Sequence, residues 1–435
     1  MQGVLMSTAR TAEQLRQAQE HIRHLRSLVE ASKIINSTLD LSRLLELILN
    51  TALANTDATA GTIYLVDEER GEIWSRMLLS DRKMEIRLPF GKGIAGQVAH
   101  TGATINIADA YADSRFAKEI DERSGFRTTS VLCMPMRNNA GKVIGVFQIL
   151  NKRNGPFTAE DEEFLSALSV HAAIAVENAK LYLQALEKKR LDSELAVARE
   201  IQQHLLPEKA PGVPGYEIAA INKPCREVGG DYFDFIEKHR ECLAFAIGDV
   251  SGKGIPAALL MATLHGGLHA QAHSRRALVE RVQNLNRLVF ESTAAGTFIT
   301  FFQGELCPSS GEVTYVNCGH NPPLHVDRKG QVNRLTKGGL ILGAIQESVY
   351  EQGSLTLRPG EMLVLFTDGV TEALGRRKQQ YEEKRLLRVL ERSRRKSAEQ
   401  VLQAVTDDVE RFCAGVPQTD DLTIMVIRRV GAVEV

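Results

Sequence analysis

Aspartates stand at the ends of several apolar segments in the second half of this sequence, most of them beside glycine. Asp249 ends the segment LAFAIGD, Asp368 ends EMLVLFTD, and Asp231 lies within REVGGDYFDF. Asp420 and Asp421 come directly before LTIMVI. Because several strand ends of one sheet can converge on one point, we expect these carboxylates to meet. Gathered carboxylates repel one another strongly in a low-dielectric site unless cations neutralise them.

The chemistry of such a site follows from its oxygen ligands. Oxygen ligands alone select hard cations, so the site would hold Mg²⁺ or Mn²⁺ in preference to zinc. Two ions that share a bridging carboxylate would activate water for in-line attack on phosphorus. The neighbouring glycines would let backbone, ions and a phosphate approach closely. Taken singly, each aspartate also fits a cap or a turn, and spacing alone does not establish convergence.

Two glycine-rich patterns invite a nucleotide-binding interpretation, and neither fits it. A P-loop needs four residues between its first glycine and its Gly-Lys pair, whereas three separate Gly248 from Gly252. GKGIAG at residues 91–96 satisfies G-x-G-x-x-G. No βαβ unit with a suitably placed ribose-binding acid accompanies it, so a dinucleotide site is not predicted.

Two histidine patterns also need an interpretation. His265, His269 and His273 repeat every four residues on one predicted helix. Such a face can bind a metal, but no cysteine or acid partner is evident beside it, so a solvated or packed helix face is predicted. For GHNPP around His320, the proline pair favours a structural turn over a catalytic histidine.

Hydrophobic periodicity predicts the elements that must position these residues. Between residues 216 and 430, apolar segments of strand length are interrupted by grouped helical patterns, which predicts α+β layers and not a βαβ repeat. The predicted strands are YEIAAINKP, LAFAIGD, TFITFFQGEL, EVTYVNC, EMLVLFTD and LTIMVIRR. The helical patterns are IPAALLMATLHGGLHAQAH, RRALVERVQNLNRLVFEST, EKRLLRVLERS and SAEQVLQAVTDDVERF.

The first half of the chain also mixes helix and strand. A predicted helix, LSRLLELILNTALANT, precedes the predicted strands AGTIYLVD, EIRLPF, SVLCMPMR and KVIGVFQILNK, and NNAGK is a hairpin signal. A helix begins near Thr158, which can cap it, and continues to Pro207. The segment KAPGVPG that follows is the clearest linker.

Five motifs in the second half occur in the order found in a known family: EVGGDYFDF, GDVSGKGIPAALLMA, VNCGHNPP, LFTDGVTEAL and DDLT. Over about residues 190–430 the chain resembles bacterial SpoIIE-type phosphatases, the branch of metal-dependent type 2C serine/threonine phosphatases used in sigma-factor partner switching. The resemblance implies an αββα sandwich with two Mn²⁺ or Mg²⁺ ions in its cleft. It also implies a phosphorylated STAS-domain anti-anti-sigma factor as the substrate.

The resemblance assigns roles residue by residue. The positions that match metal ligands are Asp231, Asp249, Val250 through its backbone carbonyl, Asp368 and Asp420. Asp249 is the bridging ligand, and with Asp231 it carries the catalytic chemistry. Asp421 would stand behind Asp420, although the reverse assignment of these two stays open.

Three further positions bear on catalysis. Arg226 is spaced like the family's phosphate-binding arginine, and a guanidinium suits a phosphate; a solvated surface arginine is the alternative. Gly230 stands where many type 2C members carry a second acid, and Ser251 where eukaryotic members carry a histidine thought to protonate the leaving group. These departures support a rival interpretation, a non-catalytic ligand-sensing scaffold with a phosphatase-like docking domain. The retained aspartates argue against it.

Residues 38–180 resemble a GAF domain, a sensing fold with a central antiparallel sheet and flanking helices. The resemblance rests on FGKGIAGQVAHTGATINIADAYADSRF and VLCMPMRNNAGKVIGVFQILNK, and on an NK…F…DE order like that of cyclic-nucleotide-binding members. We expect a Lys152–Asp161 ion pair to fix the last helix. A cyclic nucleotide, another small ligand, and a dimerising or protein-binding role stay open. Asn106 and Phe116 are candidate ligand contacts.

The predicted organisation is an α+β chain of four parts: an N-terminal helix (1–37), a GAF sensor (38–180), a linker helix (181–207) and the phosphatase domain (208–430). The first part shows heptad-like spacing, which fits a coiled coil or a helix docked on its own domain. The linker carries an apolar stripe. Together these two patterns predict a homodimer. The apolar positions are Leu15, Ala18, Ile22, Leu25 and Val29, then Leu191, Leu195, Ala198, Ile201 and Leu205.

Composition excludes several classes of protein. Lysine and arginine number 53 against 54 acidic residues, so charge favours neither nucleic acid nor an anionic membrane. No apolar run approaches the ~18 residues of a membrane span, and no secretory signal is evident. The six cysteines are scattered without CxxC, which fits buried free thiols in a reducing cytosol. We therefore expect a cytoplasmic protein without a membrane or nucleic-acid partner.

Overall fold

A computed structural model gives the fold of the chain. It describes residues 38, 40–79, 82–118, 121–122, 125–237, 242–272, 274–293 and 296–431, with side chains described outside 76–85. The predicted N-terminal helix of residues 1–37 lies outside the described residues. The chain divides into two compact units, residues 1–190 and 191–435.

A six-stranded antiparallel sheet forms the centre of the first unit, in the order β3-β2-β1-β6-β5-β4. Its strands are β1 (Ala58–Asp67), β2 (Glu72–Leu79), β3 (Arg82–Pro89), β4 (Ile105–Ile107), β5 (Val131–Arg137) and β6 (Val143–Lys152). The predicted NNAGK turn joins β5 to β6, since Asn138 and Lys142 close it with a 2.9 Å hydrogen bond. The EIWSRMLL segment that forms β2 was not predicted as a strand.

Helices cover both faces of this sheet. They are α1 (Leu41–Thr56), α2 (Gly93–Thr101) and α3 (Ala159–Leu205), with a 3₁₀ turn at Ala110–Ala112. Helix α1 and the first turns of α3 enclose one apolar cluster with the sheet, and α2 encloses a second. The antiparallel sheet with flanking helices is the arrangement expected of a GAF domain.

Helix α3 is 47 residues long and ends two residues before Pro207, as predicted. At its start, the backbone N–H of Thr158 donates to the Asp161 carboxylate over 2.7 Å. The same carboxylate pairs with Lys152, which confirms the predicted ion pair. Further along, α3 carries exposed apolar side chains: Leu181, Leu183, Leu186, Leu191, Val197 and Ile201.

Two sheets form the centre of the second unit, in the orders β14-β11-β10-β9-β8, with β15 beside β11, and β13-β12-β16-β17-β7. The strands are β7 (Tyr216–Lys223), β8 (Tyr232–Glu237), β9 (Leu243–Val250), β10 (Ile299–Cys307), β11 (Glu312–Cys318), β12 (Leu324–Val326), β13 (Val332–Arg334), β14 (Gly338–Gly339), β15 (Gly353–Thr356), β16 (Met362–Phe366) and β17 (Leu422–Arg429). All six strands predicted in this half are present. The edge strand β8 and the short strands β12 to β15 were not predicted.

The two sheets pack face to face, and helices cover their outer faces. Helices α4 (Ile255–Ala270) and α5 (Leu278–Ser292) pack on the first sheet, whereas α7 (Glu383–Ser393) and α8 (Ala398–Cys413) pack on the second. The short α6 (Asp368–Thr371) follows β16. A third apolar cluster fills the space between the sheets. The unit is therefore an αββα sandwich, as predicted.

The cysteines correct one expectation. All six are free, but only Cys133 and Cys318 are buried. The other four lie at strand ends, in a loop or on a helix flank, where partial exposure follows from their place at the edge of a layer. Among the helices of the described residues, none combines the length and the apolar character of a membrane span.

Candidate functional site

The strand register of the first sheet brings two of the aspartates together. Tyr232 on β8 lies opposite Gly248 on the antiparallel β9. One step outward, Asp231 therefore stands opposite Asp249, because antiparallel register runs in opposite directions on the two strands. The two carboxylates come from positions 18 residues apart in the chain.

The second sheet brings the other aspartates to the same place. Strands β16 and β17 are antiparallel neighbours, with Phe366 opposite Ile424. Asp368 comes two residues after Phe366, and Asp420 and Asp421 directly precede β17. All three therefore stand at one end of this strand pair.

Two hydroxyls connect the sheets at this point. Thr367 Oγ1 and Thr423 Oγ1, both from the second sheet, donate to the same oxygen of Asp231 over 2.7 and 2.6 Å. Asp231 is only 3% exposed. Because buried carboxylates need hydrogen-bond donors, these contacts hold Asp231 in one orientation at the junction of the sheets.

The aspartates oppose one another's ionisation. Burial raises the pKa of Asp231 well above its usual value, and Asp249 adds to the effect. Burial followed by the charges of Asp368, Asp420 and Asp421 raises the pKa of Asp249 to about 7. Burial and Asp420 raise the pKa of Asp368 as well. This set of crowded oxygen ligands fits hard divalent cations, which would remove the repulsion.

The neighbouring aspartates Asp420 and Asp421 have different contacts. The Asp421 carboxylate accepts backbone N–H bonds from Cys225 at 2.7 Å and Gly230 at 2.6 Å. Asp420 is partly exposed and pairs with Lys253 at 2.8 Å. Asp421 thus holds the loop before β8, whereas the Asp420 carboxylate, among the residues that the structure describes, contacts only Lys253 and, over 3.0 Å, the backbone N–H of Asp421. This favours Asp420 as the ligand.

Glycines allow the close packing of these loops. A Cβ on Gly369 would lie 1.9 Å from the backbone oxygen of Asp421, and one on Gly229 would lie 2.6 Å from its carboxylate. Gly230 has little more room, since its Cβ would lie 3.0 Å from the Val250 carbonyl oxygen. A side chain at this position would therefore require the Val250 backbone to move by a few tenths of an ångström.

The remaining predicted residues around the site are placed as follows. Val250 is buried, and its backbone carbonyl faces Gly230. Ser251 accepts from the backbone N–H of Phe298 over 2.9 Å, so its hydroxyl extends the β9–β10 ladder. Arg226 is exposed and makes no hydrogen bond or ion pair with any residue that the structure describes. Its guanidinium is available to an anion.

Sequence reasoning missed three residues of the site: Lys253, Thr367 and Thr423. Lys253 also donates to the Thr419 carbonyl over 2.5 Å and lowers the pKa of Asp249 and Asp368. Thr367 directly precedes Asp368, and Thr423 stands two residues after Asp421. That position beside the motifs is the signal that would have identified them.

The GHNPP segment joins β11 to β12, and hydrogen bonds to residues outside the segment hold its histidine, which fits the structural role predicted for it. The Asn317 side chain accepts from the backbone N–H of His320 over 2.8 Å, and His320 Nδ1 lies 2.9 Å from the Thr300 hydroxyl. Burial lowers the pKa of His320 to about 4, so the imidazole is neutral near pH 7.

The two candidate ligand contacts of the first unit lie on different elements. Asn106, on β4, donates to the Phe157 carbonyl over 3.1 Å and to Glu162 over 2.8 Å. Its amide therefore ties β4 to the start of α3. Phe116 is half-buried, with its ring centroid 5.5 Å from that of Tyr111. A ligand contact of either residue stays a prediction.

Comparison with known proteins agrees with this geometry. The family model described as Stage II sporulation protein E (SpoIIE) matches residues 239–430, and the GAF domain model matches residues 40–176. The SiaA-PP2C domain of Pseudomonas aeruginosa superposes with a TM-score of 0.50 at 20% identity, covering 56% of this chain and 98% of that domain. At this identity the likeness shows the fold alone.

Two curated relatives add sequence similarity. The dual 3′,5′-cyclic-AMP and -GMP phosphodiesterase 11 of Drosophila melanogaster is 45% identical over 123 residues, which are 28% of this chain and 8% of that enzyme. The phosphoserine phosphatase RsbU of Bacillus subtilis is 33% identical over 244 residues, covering 56% of this chain and 72% of RsbU. With the sandwich fold and the convergent aspartates, this similarity shows that the chain belongs to the SpoIIE-type serine/threonine protein phosphatases and that it carries a GAF domain.

Proposed function

We propose that this phosphatase is signal-gated and metal-dependent, and that it removes phosphate from phosphoserine or phosphothreonine of a STAS-domain anti-anti-sigma factor. The observation that carries the proposal is that aspartates from the ends of two sheets lie near enough to oppose one another's ionisation, which with burial raises the pKa values of Asp231, Asp249 and Asp368. Similarity to a relative named phosphoserine phosphatase supports the substrate class.

The proposed ligands of two Mn²⁺ or Mg²⁺ ions are Asp231, Asp249, the Val250 carbonyl, Asp368 and Asp420. Their crowded oxygen donors fit hard cations. When bound, such cations neutralise charge on a phosphate and activate water for attack on phosphorus. The protein's own contribution is position: Thr367 and Thr423 orient Asp231, and Asp421 fixes the loop that leads into β8.

Arg226 is the proposed phosphate-binding side chain. It precedes Asp231 by five residues, and its exposed guanidinium has no partner among the described residues. A planar guanidinium can bind two phosphate oxygens at once. Lys253 pairs with Asp420 over 2.8 Å and so helps to orient that carboxylate.

The first test is hydrolysis of p-nitrophenyl phosphate and of a phosphorylated STAS protein, each with Mn²⁺ and with EDTA. We expect Mn²⁺-dependent turnover by the wild type and its loss in Asp249→Asn. Arg226→Ala should raise KM for the phosphoprotein, whereas Arg276→Ala, at an exposed arginine two residues before α5, should not. Metal-independent turnover, or full activity of Asp249→Asn, would contradict the proposed site.

The proposed ligand of the GAF domain (residues 38–180) is a cyclic nucleotide. The NK…F…DE order, the buried Lys152–Asp161 pair and the similarity to cyclic-nucleotide phosphodiesterases support this choice. Native mass spectrometry of freshly purified protein tests it, followed by calorimetric titration with cyclic AMP and cyclic GMP. Retention of a different small molecule, or no heat with either nucleotide, would argue for one of the other roles.

The proposed assembly is a homodimer in which the linker helix (181–207) transmits the signal to the phosphatase domain (208–430). Leu191 and Ile201 on α3 are 50% and 61% exposed, and paired helices bury such side chains. Leu191→Glu with Ile201→Glu should convert a dimer to a monomer in light scattering and abolish ligand-dependent activity. Val349→Glu, at an exposed apolar residue outside this helix, serves as the control.

A further inference from the structure

An acidic side chain, that of Asp234, lies under helix α4 on the helix-covered face of the first sheet, whose core is largely apolar. Along β8, Tyr232, Asp234 and Ile236 point toward the helices, because alternate residues share a face. The Asp234 side chain is only 5% exposed. A buried carboxylate is costly unless it is paired and hydrogen-bonded, so its partners decide what it does.

Two imidazoles on α4 are among the partners of Asp234. His269 Nε2 lies 2.6 Å from Asp234 Oδ2, and His265 Nδ1 lies 3.8 Å from the same oxygen. The two histidines are one turn apart, and their ring centroids are 4.2 Å apart. The sequence offered no acid partner for these histidines. The structure corrects that, since Asp234 comes from a neighbouring strand and not from the helix. His273 lies outside the described residues.

A hydroxyl completes the surroundings of this cluster. Tyr232 donates to Asp234 Oδ2 over 2.5 Å and lies 3.4 Å from His265 Nδ1. The other Asp234 oxygen accepts from the backbone N–H of Phe235 over 2.7 Å. Contacts of this kind orient a carboxylate and set its charge, as outer partners of metal ligands do.

The geometry points to a transition-metal site formed by Asp234, His265 and His269, with zinc as the fitting ion. One ligand atom from each residue lies within 4.8 Å of the other two. A tetrahedral zinc ion with metal–ligand distances of about 2.0–2.1 Å needs its ligand atoms about 3.4 Å apart. Small rotations of the three side chains bring the ligand atoms to this spacing. Two imidazoles and one carboxylate suit zinc, whereas oxygen ligands alone suit Mg²⁺ or Mn²⁺.

The exposure of the cluster to solvent also favours a metal site. His269 is 44% exposed, so an ion can enter from solvent and keep water as its fourth ligand.

The site connects the two segments that lead away from the carboxylate centre. Strand β8 begins directly after Asp231, and α4 begins five residues after Val250. A zinc ion held by both would clamp α4 to β8. This inference does not depend on the proposed function, because it concerns a different group of side chains with different ligand chemistry.

Metal binding by the full-length protein tests the inference. With millimolar Mg²⁺ present to occupy the carboxylate centre, we expect equilibrium dialysis with Zn²⁺ to give stoichiometric binding by the wild type. The His265→Ala/His269→Ala variant should lose it. Tyr232→Phe keeps the packed ring and should weaken binding by about 10–100-fold, the usual effect of removing an outer hydrogen bond. Asp249→Asn and His100→Ala, an exposed histidine of the first unit, should bind zinc like the wild type.

Cobalt provides a second readout that identifies the ligands. Co²⁺ in a tetrahedral site of two imidazoles and a carboxylate should give visible absorption that His265→Ala and His269→Ala each remove. Near-ultraviolet sulfur-to-cobalt absorption would place the ion on cysteines and overturn the inference. Equal zinc binding by wild type and the double histidine variant would also overturn it, as would no binding. In either of these last two cases, Asp234 and the two histidines form a hydrogen-bonded cluster that does not bind metal.

Discussion

Asp420 and Asp421 are adjacent in sequence, and the structure predicts that their removal changes the stability of the protein by very different amounts. Asp421 is 7% exposed and accepts two short backbone N–H bonds, from Cys225 and Gly230. Hydrogen bonds to charged groups contribute about 1.5–3 kcal/mol each. Asp421→Ala therefore removes two hydrogen bonds that together contribute roughly 3–6 kcal/mol to the free energy of unfolding. It also relieves some repulsion, since Asp421 raises the pKa of Asp231 and Asp249. The net loss in the free energy of unfolding should be about 3 kcal/mol.

Asp420→Ala should have little effect on the metal-free protein. Its ion pair with Lys253 is about one-third exposed on each side, and such pairs contribute about 0.2–1 kcal/mol. Its removal also relieves Asp249 and Asp368 of a neighbouring negative charge. The two contributions oppose each other, so the net change should be within about 1 kcal/mol.

Differential scanning calorimetry in EDTA measures both changes. For a unit of this size 1 kcal/mol corresponds to about 2–4 °C in Tm, so Asp421→Ala should lower Tm by about 6–12 °C and Asp420→Ala by less than about 4 °C. In the wild type, the unfolding transition whose Tm rises when Mn²⁺ is added belongs to the phosphatase unit. Asp420→Ala should reduce that Mn²⁺-dependent rise. If the two variants lost equal amounts of Tm in EDTA, or if Asp421→Ala kept the wild-type Tm, the structural role of Asp421 and the metal-binding role of Asp420 would be refuted.

Three further predictions concern other parts of the chain. Gly369→Ala would place a methyl group 1.9 Å from a backbone oxygen of the loop before β17, so we expect loss of the phosphatase-unit transition in calorimetry. Lys152→Met leaves the Asp161 carboxylate buried without its cation, and should lower the stability of the GAF unit by about 3 kcal/mol in urea unfolding followed by Trp74 fluorescence. Cys242 Sγ and Cys307 Sγ are 2.9 Å apart, so diamide should take two electrons and two protons from them and leave one disulfide, detected by non-reducing peptide mapping.

Matched controls separate these effects from general damage. Gly266→Ala, on α4 with no atom within 4 Å of the added methyl, should leave the phosphatase-unit transition in place. Lys142→Met breaks an ion pair that is more than half exposed and should cost less than about 1 kcal/mol. The buried Cys318 should stay reduced in diamide. An intact transition in Gly369→Ala, equal losses for the two lysine variants, or a disulfide at other cysteines would contradict the respective prediction.

Much of the fold was predictable because its signals are local. Strand and helix patterns, the NNAGK turn and the stop before Pro207 each depend on residues a few positions apart. The strands that were missed are short or lie at sheet edges, where the apolar pattern is brief. Strand β8 was missed because its residues were interpreted as part of the motif around Asp231. In the structure, Tyr232 and Asp234 face the helices, whereas Phe233 and Phe235 face the other sheet.

The amino-acid sequence by itself indicated which side chains are candidates for the chemistry, since the aspartates stand at strand ends in motifs of one family. Only the tertiary structure decided which of them meet and how. The contacts that distinguish Asp421 from Asp420 join residues up to 196 positions apart, and the cluster of Asp234 with two histidines joins a strand to a helix some 30 positions later. Such pairings are set by strand register and by packing between layers, which depend on the whole folded chain and leave no local pattern.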